Sequence, residues 1–334
     1  MNTTTASAPA KIHTITAVNQ ALDDAMAMDP NVFLLGEDIA DEQSGGIVGI
    51  TKGLSTKYGA SRVRSTPIAE QAIMGAAIGA SLVGMRPVAE IMLMNFTTVA
   101  MDMIVNHAAK LRFMSGGQTH VPITIRTMTG AGYGTGGQHA DMLEAWFAHT
   151  AGMKVVAPSS PAEAYGLMLS CIYDDDPCLF IENLPTLRTP GEPPVRGERI
   201  PLGQAKVLRT GTDVTVVAYS RMIQECLPVV DKLAVEGIHV ELIDLRTISP
   251  WDQKTVLASA AKTGRAVVVH EALRSFGVGA EIASVLHENL WGQLKAPVQR
   301  VGAPRCPVPF SKPLEMAFLP QGPVIEAAIR QVLA

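Results

Sequence analysis

Short, almost wholly apolar runs recur along the chain with helix-length stretches between them, and this alternation restricts the fold more than any other feature. Val32 to Leu35, Pro87 to Met92, Pro122 to Arg126, Lys154 to Ala157 and Cys178 to Glu182 read as buried strands. Thr16 to Met28, Thr97 to Met114, Met142 to Thr150 and Pro161 to Tyr173 read as the helices between them. Strands lacking polar alternation are covered on both faces, and strands alternating with helices build a parallel α/β sheet. The Pro/Gly-rich stretch from Asn183 to Arg199 breaks the pattern, which then restarts. Strands are expected again at Val214 to Ala218, Val240 to Leu245 and Ala266 to His270. The matching helices are Met222 to Glu236, Trp251 to Lys262, Gly279 to Leu290 and Pro323 to Leu333. The expectation is an α/β protein of two doubly wound domains: a disordered tail over residues 1–12, a first domain over 13–188, a linker over 189–202, and a smaller second domain over 203–334.

A length of 334 residues suits two domains. Apolar residues at 47%, charged residues at 17% and a mean hydropathy of +0.21 call for large buried interfaces as well as a core. A net charge of −4 with no basic run makes nucleic acid and anionic membrane poor partners. The longest near-apolar run, Ala72 to Met85, is shorter than the roughly 20 residues a membrane-spanning helix needs. The N-terminal Thr/Ala/Ser stretch lacks the basic start and apolar core of a secretory signal. Cys171, Cys178, Cys226 and Cys306 form no Cys-x-x-Cys pair and read as buried hydrophobes in a reducing cytoplasm.

Three motifs carry candidate chemistry. Thr66-Pro67 reads as a helix start, and the helix beyond it is nearly free of polar side chains. Gly75 and Gly79 leave room there for another backbone to pass. Glu70 stands alone on that helix, either as a partner of the helix dipole or as a carboxyl of raised pKa that shares a proton with a ligand. The second motif, Gly132-Tyr133-Gly134-Thr135-Gly136-Gly137, fits G-x-G-x-x-G, yet the next strand ends Val155-Val156-Ala157-Pro158 without the acid a dinucleotide ribose needs. A glycine loop that carries His139 into a site fits better than a core histidine would. His107 and His149 read as structural, and His270 sits at a strand end. The third motif, Asp174-Asp175-Asp176-Pro177, reads as a solvated turn or a cation site. No HExxH, nucleophile elbow or Walker loop is present, so any phosphates of a ligand are expected to be held elsewhere.

At Gly36-Glu37-Asp38, Thr66 to Glu70, Asn95-Phe96, Ala108-Ala109-Lys110, Gln138-His139 and Asp244 to Pro250, the sequence resembles a known family. This is the β subunit of the thiamine-diphosphate-dependent decarboxylating component of 2-oxo acid dehydrogenase complexes (pyruvate, acetoin and branched-chain types). The resemblance runs from about Thr14 to the C-terminus. It implies a pyrimidine-binding domain followed by a transketolase-type C-terminal domain. Glu70 then matches the glutamate that hydrogen-bonds the cofactor's pyrimidine nitrogen, so that the cofactor's own amino group can deprotonate the thiazolium carbon. Phe96 matches the aromatic stacked on the pyrimidine. Glu37 and Met92 are assigned to the cofactor site, and His139 to the substrate side of the thiazolium during acyl transfer to lipoamide. Where the family has His-Ser-Gln, this chain has His139-Ala140-Asp141. Asp174 and Asp176 match a potassium site of some relatives. The family's Mg²⁺- and diphosphate-holding signature is missing, which implies an α subunit that supplies it, an α₂β₂ heterotetramer, and a lipoyl-bearing dihydrolipoamide acyltransferase as partner. Pyruvate or acetoin is expected ahead of branched-chain substrates. The competing readings are half of a split transketolase or deoxyxylulose-type synthase, and a non-catalytic nucleotide-binding subunit.

Overall fold

The computed structural model describes residues 10–334, so the expected tail lies, as far as residue 9, outside the described residues. Strand β1 (Ile12–His13) pairs antiparallel with β8 (Pro190–Gly191), clasping the start of the described chain to the Pro/Gly-rich stretch.

The larger sheet holds β2 (Val32–Glu37), β3 (Val63–Thr66), β4 (Arg86–Leu93), β5 (Thr124–Thr129), β6 (Lys154–Val156), β7 (Cys178–Asn183) and β12 (Thr247–Ser249). Their spatial order is β12-β6-β7-β5-β4-β2-β3, parallel throughout except for β12 against β6. The second sheet holds β9 (Lys206–Arg209), β10 (Val214–Ala218), β11 (Val240–Asp244), β13 (Ala266–Leu273) and β14 (Gln299–Ala303). Its order is β14-β13-β10-β11-β9, with only β9 antiparallel.

Both faces of the larger sheet are buried, as its unbroken apolar strands require. Helices Thr14–Met28 and Pro161–Ile172 cover one face through Ala21, Leu22, Leu167 and Met168 packed over Leu34, Val88 and Phe180. Helix Glu70–Leu82 covers the other with Ile73, Met74, Ala77 and Ile78 over Leu35, Ala89 and Ile91. That second cluster runs on without a break into Val217, Ile243, Val268, Ile282 and Leu286, so the two sheets share one hydrophobic interior. Each such side chain contributes about 1.5–3 kcal/mol by leaving water. The outer face of the second sheet is closed by helices Arg221–Val235 and Gly322–Leu333.

Several local expectations need correction. Thr66 ends β3, paired in register with Glu37, and its hydroxyl donates to the Pro67 carbonyl (3.0 Å) instead of capping a helix. The helix therefore starts at Glu70, after residues 67–69 have carried the chain off the strand. The long helix expected from Thr97 to Met114 is broken into a 3₁₀ turn at Met94–Thr98, a π-helical segment at Met103–Ala108 and a short helix at Leu111–Met114. The Ala109 N–H reaches back five residues to the Ile104 carbonyl, which inserts the extra residue of a π turn. Strands β9, β12 and β14 and helix Lys312–Phe318 escaped the sequence reading because they are short, polar or at sheet edges, where the apolar signal is weakest. Cys171, Cys178 and Cys226 are buried as expected, whereas Cys306 is exposed. No helix among the described residues is long and apolar enough to cross a membrane.

Candidate active site

Parallel α/β sheets place ligands beyond the carboxyl ends of their strands. Here four neighbouring strands, β5-β4-β2-β3, together deliver the five expected residues to that edge. β2 ends on Glu37, and β3 leads through a short turn to Glu70 at the first position of its helix. β4 passes Met92 into the 3₁₀ turn that holds Phe96, and β5 runs into the glycine loop and then His139. Glu37, Glu70, Met92 and Phe96 are half-buried, while His139 is exposed.

One through-space effect and one contact link this edge. Burial, and then the negative charges of Asp38 and Glu70, push the Glu37 carboxyl above its ordinary pKa, which places both glutamates within electrostatic reach. The His139 ring meets Phe96 edge-on, with centroids 5.4 Å apart and an interplanar angle of 76°. The His139-Ala140-Asp141 departure has a structural account. Ala140 is buried under Val308 and Phe318, and Asp141 locks onto Asn95, the residue before Phe96. Asn95 Nδ2 donates to Asp141 Oδ2 (2.8 Å), while the Asp141 N–H donates to Asn95 Oδ1 (3.2 Å). The aromatic turn and the histidine loop are therefore one unit.

The glycine loop has its own partner. Gly132 and Gly134 donate their N–H groups to the buried carboxylate of Glu315, at 2.7 Å for Gly132 and 2.9–3.1 Å for Gly134. A nucleotide phosphate would need those same amides, so the loop is not free to grip one. Sequence reading missed Glu315 because it lies 183 residues from Gly132 with no motif around it.

The remaining candidates have partners within the chain. His270 is fully buried, with Nδ1 facing the Ala272 carbonyl (3.1 Å), and burial holds its pKa down to about 4. It is a neutral core histidine stacked on Tyr219. Asp174 is bonded by Lys154 through both carboxylate oxygens (2.7 Å), and Asp176 by Arg112 (2.6 Å). Arg86 donates to the Asp174 carbonyl (3.0 Å). The two carboxylates expected at a potassium site thus each pair with a cation of the protein. Beside the loop, a cavity of about 500 Å³ between the domains is lined by Ala140, Asp141, Trp146, Phe276 and Arg305. Neither Glu37, Glu70 nor Phe96 lines it; they occupy an open edge.

Two doubly wound domains with a carboxylate pair and an aromatic at the strand ends of the first define a transketolase-type protein. The family pattern of the transketolase pyrimidine binding domain matches residues 10–189, and that of the transketolase C-terminal domain matches residues 203–325. A solved split-gene transketolase, an inactive β₄ tetramer, superposes with a TM-score of 0.80 over 96% of this chain and 98% of its own, at 24% identity. That likeness is one of fold. The β subunit of acetoin:2,6-dichlorophenolindophenol oxidoreductase from Cupriavidus necator is 43% identical over 95% of this chain and 96% of its own length. The mitochondrial β subunit of the human pyruvate dehydrogenase E1 component is 40% identical over 98% of this chain and 92% of its own. The chain belongs to this family of β subunits of thiamine-diphosphate-dependent acetoin and pyruvate dehydrogenases.

Proposed function

We propose that, joined to an α subunit in an α₂β₂ heterotetramer, this chain forms the pyrimidine side of a thiamine-diphosphate site. The assembly would cleave the C–C bond of pyruvate or acetoin and pass the acyl group reductively to the lipoyl group of a dihydrolipoamide acyltransferase. The carrying observation is the placement of Glu70, Glu37, Phe96 and His139 on four adjacent strand ends. The residues fit the cofactor: a half-buried carboxylate for a ring nitrogen, an aromatic face for a flat ring, and a neighbouring carboxyl already short of positive charge. When bound, thiamine diphosphate supplies a carbon nucleophile able to stabilise charge next to a former carbonyl.

The protein's share of the work follows from where these groups stand. Glu70 accepts the hydrogen bond at the ring nitrogen and holds the proton there. Glu37 surrounds that point with further negative charge, favouring a protonated ring. Phe96 excludes water from one face, and His139, braced edge-on by Phe96, carries a proton on the substrate side. The open edge and the small, exposed face at Ala72, Ala76 and Gly79, with no heavy atom of this chain within 4 Å of a Cβ built on Gly79, support an α subunit that closes the site and holds Mg²⁺ and the diphosphate. The buried, unpaired cysteines support a reducing cytoplasm as its compartment. The resemblance of Asn95 to Asp102 and Asn106 to Lys110 to acetoin-type β subunits supports an acetoin- or pyruvate-type substrate over a branched-chain one.

The test is reconstitution. The purified chain alone should show no turnover, and addition of its α subunit should give substrate-dependent reduction of a lipoyl domain. Turnover without the α subunit would refute the shared site, and two-carbon transfer to an aldose with the lipoyl group left oxidised would make the protein a split transketolase instead. In the same assembly, His139→Ala should leave exchange of the cofactor C2 proton intact and lower acyl transfer about a hundredfold or more. Loss of C2 exchange in that variant would remove His139 from the later steps.

A further inference from the structure

The loop that bears His139 is seated on the other domain. Ala131 and Ala140, at its two ends, are buried against Ala303, Val308, Phe318 and Leu319 of the C-terminal domain. Between them, a Cβ on Gly137 would lie 3.1 Å from the Pro307 ring, and one on Gly136 would lie 3.2 Å from the Phe310 ring. Three charged groups meet the loop there: Glu271 accepts the Ala131 N–H (2.9 Å), Arg221 donates to the Ala131 carbonyl (2.6 Å), and Glu315 takes the turn that follows. Glu315, fully buried on helix Lys312–Phe318, accepts the Gly132 N–H with one oxygen and shares the Gly134 N–H between both.

A buried carboxylate is stable only when its charge is met by donors. Here the donors are main-chain N–H groups held in a conformation with φ of +130° at Gly132 and +69° at Gly134. The carboxylate and the loop therefore specify each other. An unpaired Glu315 would be costly, and a loop without Glu315 would leave its N–H groups without acceptors. Beyond Gly134 the chain has little freedom, because the His139 N–H bonds back to the Gly136 carbonyl (3.2 Å) and Asp141 is fixed to Asn95.

We propose that Glu315 is a positioning residue for the acyl-transfer half of the reaction: it fixes the Gly132–Gly134 turn and, through it, sets His139 against Phe96. The inference rests on the function proposed above, and it assigns to the C-terminal domain control over a residue carried by the pyrimidine domain. Glu315 touches neither cofactor nor substrate, so its effect belongs to the steps that use His139 and not to those that use Glu70.

The test uses the assembled enzyme carrying Glu315→Gln, which keeps the shape and one acceptor oxygen for the Gly132 N–H but removes the charge and sets an amide donor where the second oxygen met the Gly134 N–H. Hydrogen–deuterium exchange of the peptide spanning residues 130–138 should speed up about tenfold or more. Acyl transfer to the lipoyl domain should fall about tenfold or more, while cofactor C2 exchange stays within about twofold. The double variant with His139→Ala should be no slower than His139→Ala alone, because both act through one group. Glu315→Asp, which keeps the charge on a shorter arm, should lie between wild type and Glu315→Gln in both readouts and serves if Glu315→Gln does not fold. Wild-type exchange in the loop, an equal fall in C2 exchange, or additive loss in the double variant would each overturn the proposal. A wild-type assembly that fails to acylate the lipoyl domain would instead sink the proposed function, and the loop exchange would still decide whether Glu315 holds the loop.

Discussion

Glu70→Gln in the assembled enzyme is expected to slow exchange of the cofactor C2 proton by about 10³-fold, near the middle of the range for a lost acid–base group, while leaving assembly intact. Glutamine has the same length and keeps one acceptor oxygen, so the ring nitrogen still finds a partner. What it cannot do is carry a negative charge or take up a proton, and those are the properties that favour the reactive tautomer. The cost to the fold is small. Glu70 is a half-buried first-turn residue whose interaction with the helix dipole contributes about 0.3–1 kcal/mol. Its neighbour supplies an internal check: Glu37 is raised first by burial and then by the charges of Asp38 and Glu70, so removing the Glu70 charge should let the Glu37 carboxyl titrate at lower pH. Exchange followed by NMR in deuterated buffer, with native mass spectrometry for assembly, measures both halves of the claim. An exchange rate equal to wild type would take Glu70 out of the chemistry.

Glu70 also shows how far the sequence could be read. A single carboxylate at the head of an oily helix is a local signal, and so is an apolar run such as Val32 to Leu35, because neither depends on distant chain. The company Glu70 keeps is not local. Glu37 reaches it only because β2 and β3 pair in parallel with Glu37 opposite Thr66, and Phe96 joins them because β4 lies on the other side of β2. Register of that kind is set by the whole sheet and leaves no mark on a short window of sequence. Glu315 is harder still: its helix is seven residues long, it follows Pro307-Val308-Pro309, and its partners are backbone amides, which every residue but proline possesses. The broken helix after Asn95 was misread for a related reason. Its residues suit a helix, but the turn that presents Phe96 and the tie from Asn95 to Asp141 are tertiary, and they override local preference.

The same limit applies to Arg126, which in sequence is only a polar interruption of an apolar strand and in the fold is the group on which the larger sheet depends. It is 1% exposed, donates through Nε and Nη2 to Glu182 (2.8 and 3.0 Å), and donates through Nη1 to Glu90 (2.7 Å). One cation thus serves two buried carboxylates on β4 and β7, either side of its own β5. Burial pushes Glu182 up to about 6 even with the guanidinium opposing it. Arg126→Met is expected to cost about 3–5 kcal/mol, because it removes the one cation that, among the described residues, pairs with two buried carboxyls. The loss should depend on pH, with a definite sign. Without Arg126 the buried Glu182 carboxyl binds its proton more tightly in the folded state than in the unfolded chain, where the value is near 4.5. Its contribution is therefore fully present below that value and is lost as the pH rises through the higher folded value, so the variant should fall furthest behind wild type at pH 8 and least at pH 5. Denaturant unfolding at those two pH values measures the difference. The control replaces all three groups together, as Glu90→Leu, Arg126→Met and Glu182→Leu, which removes the charges along with their partner and should recover most of the loss. If Arg126→Met cost less than about 1 kcal/mol, or cost more at pH 5 than at pH 8, the two carboxylates would have to be satisfied by something other than Arg126.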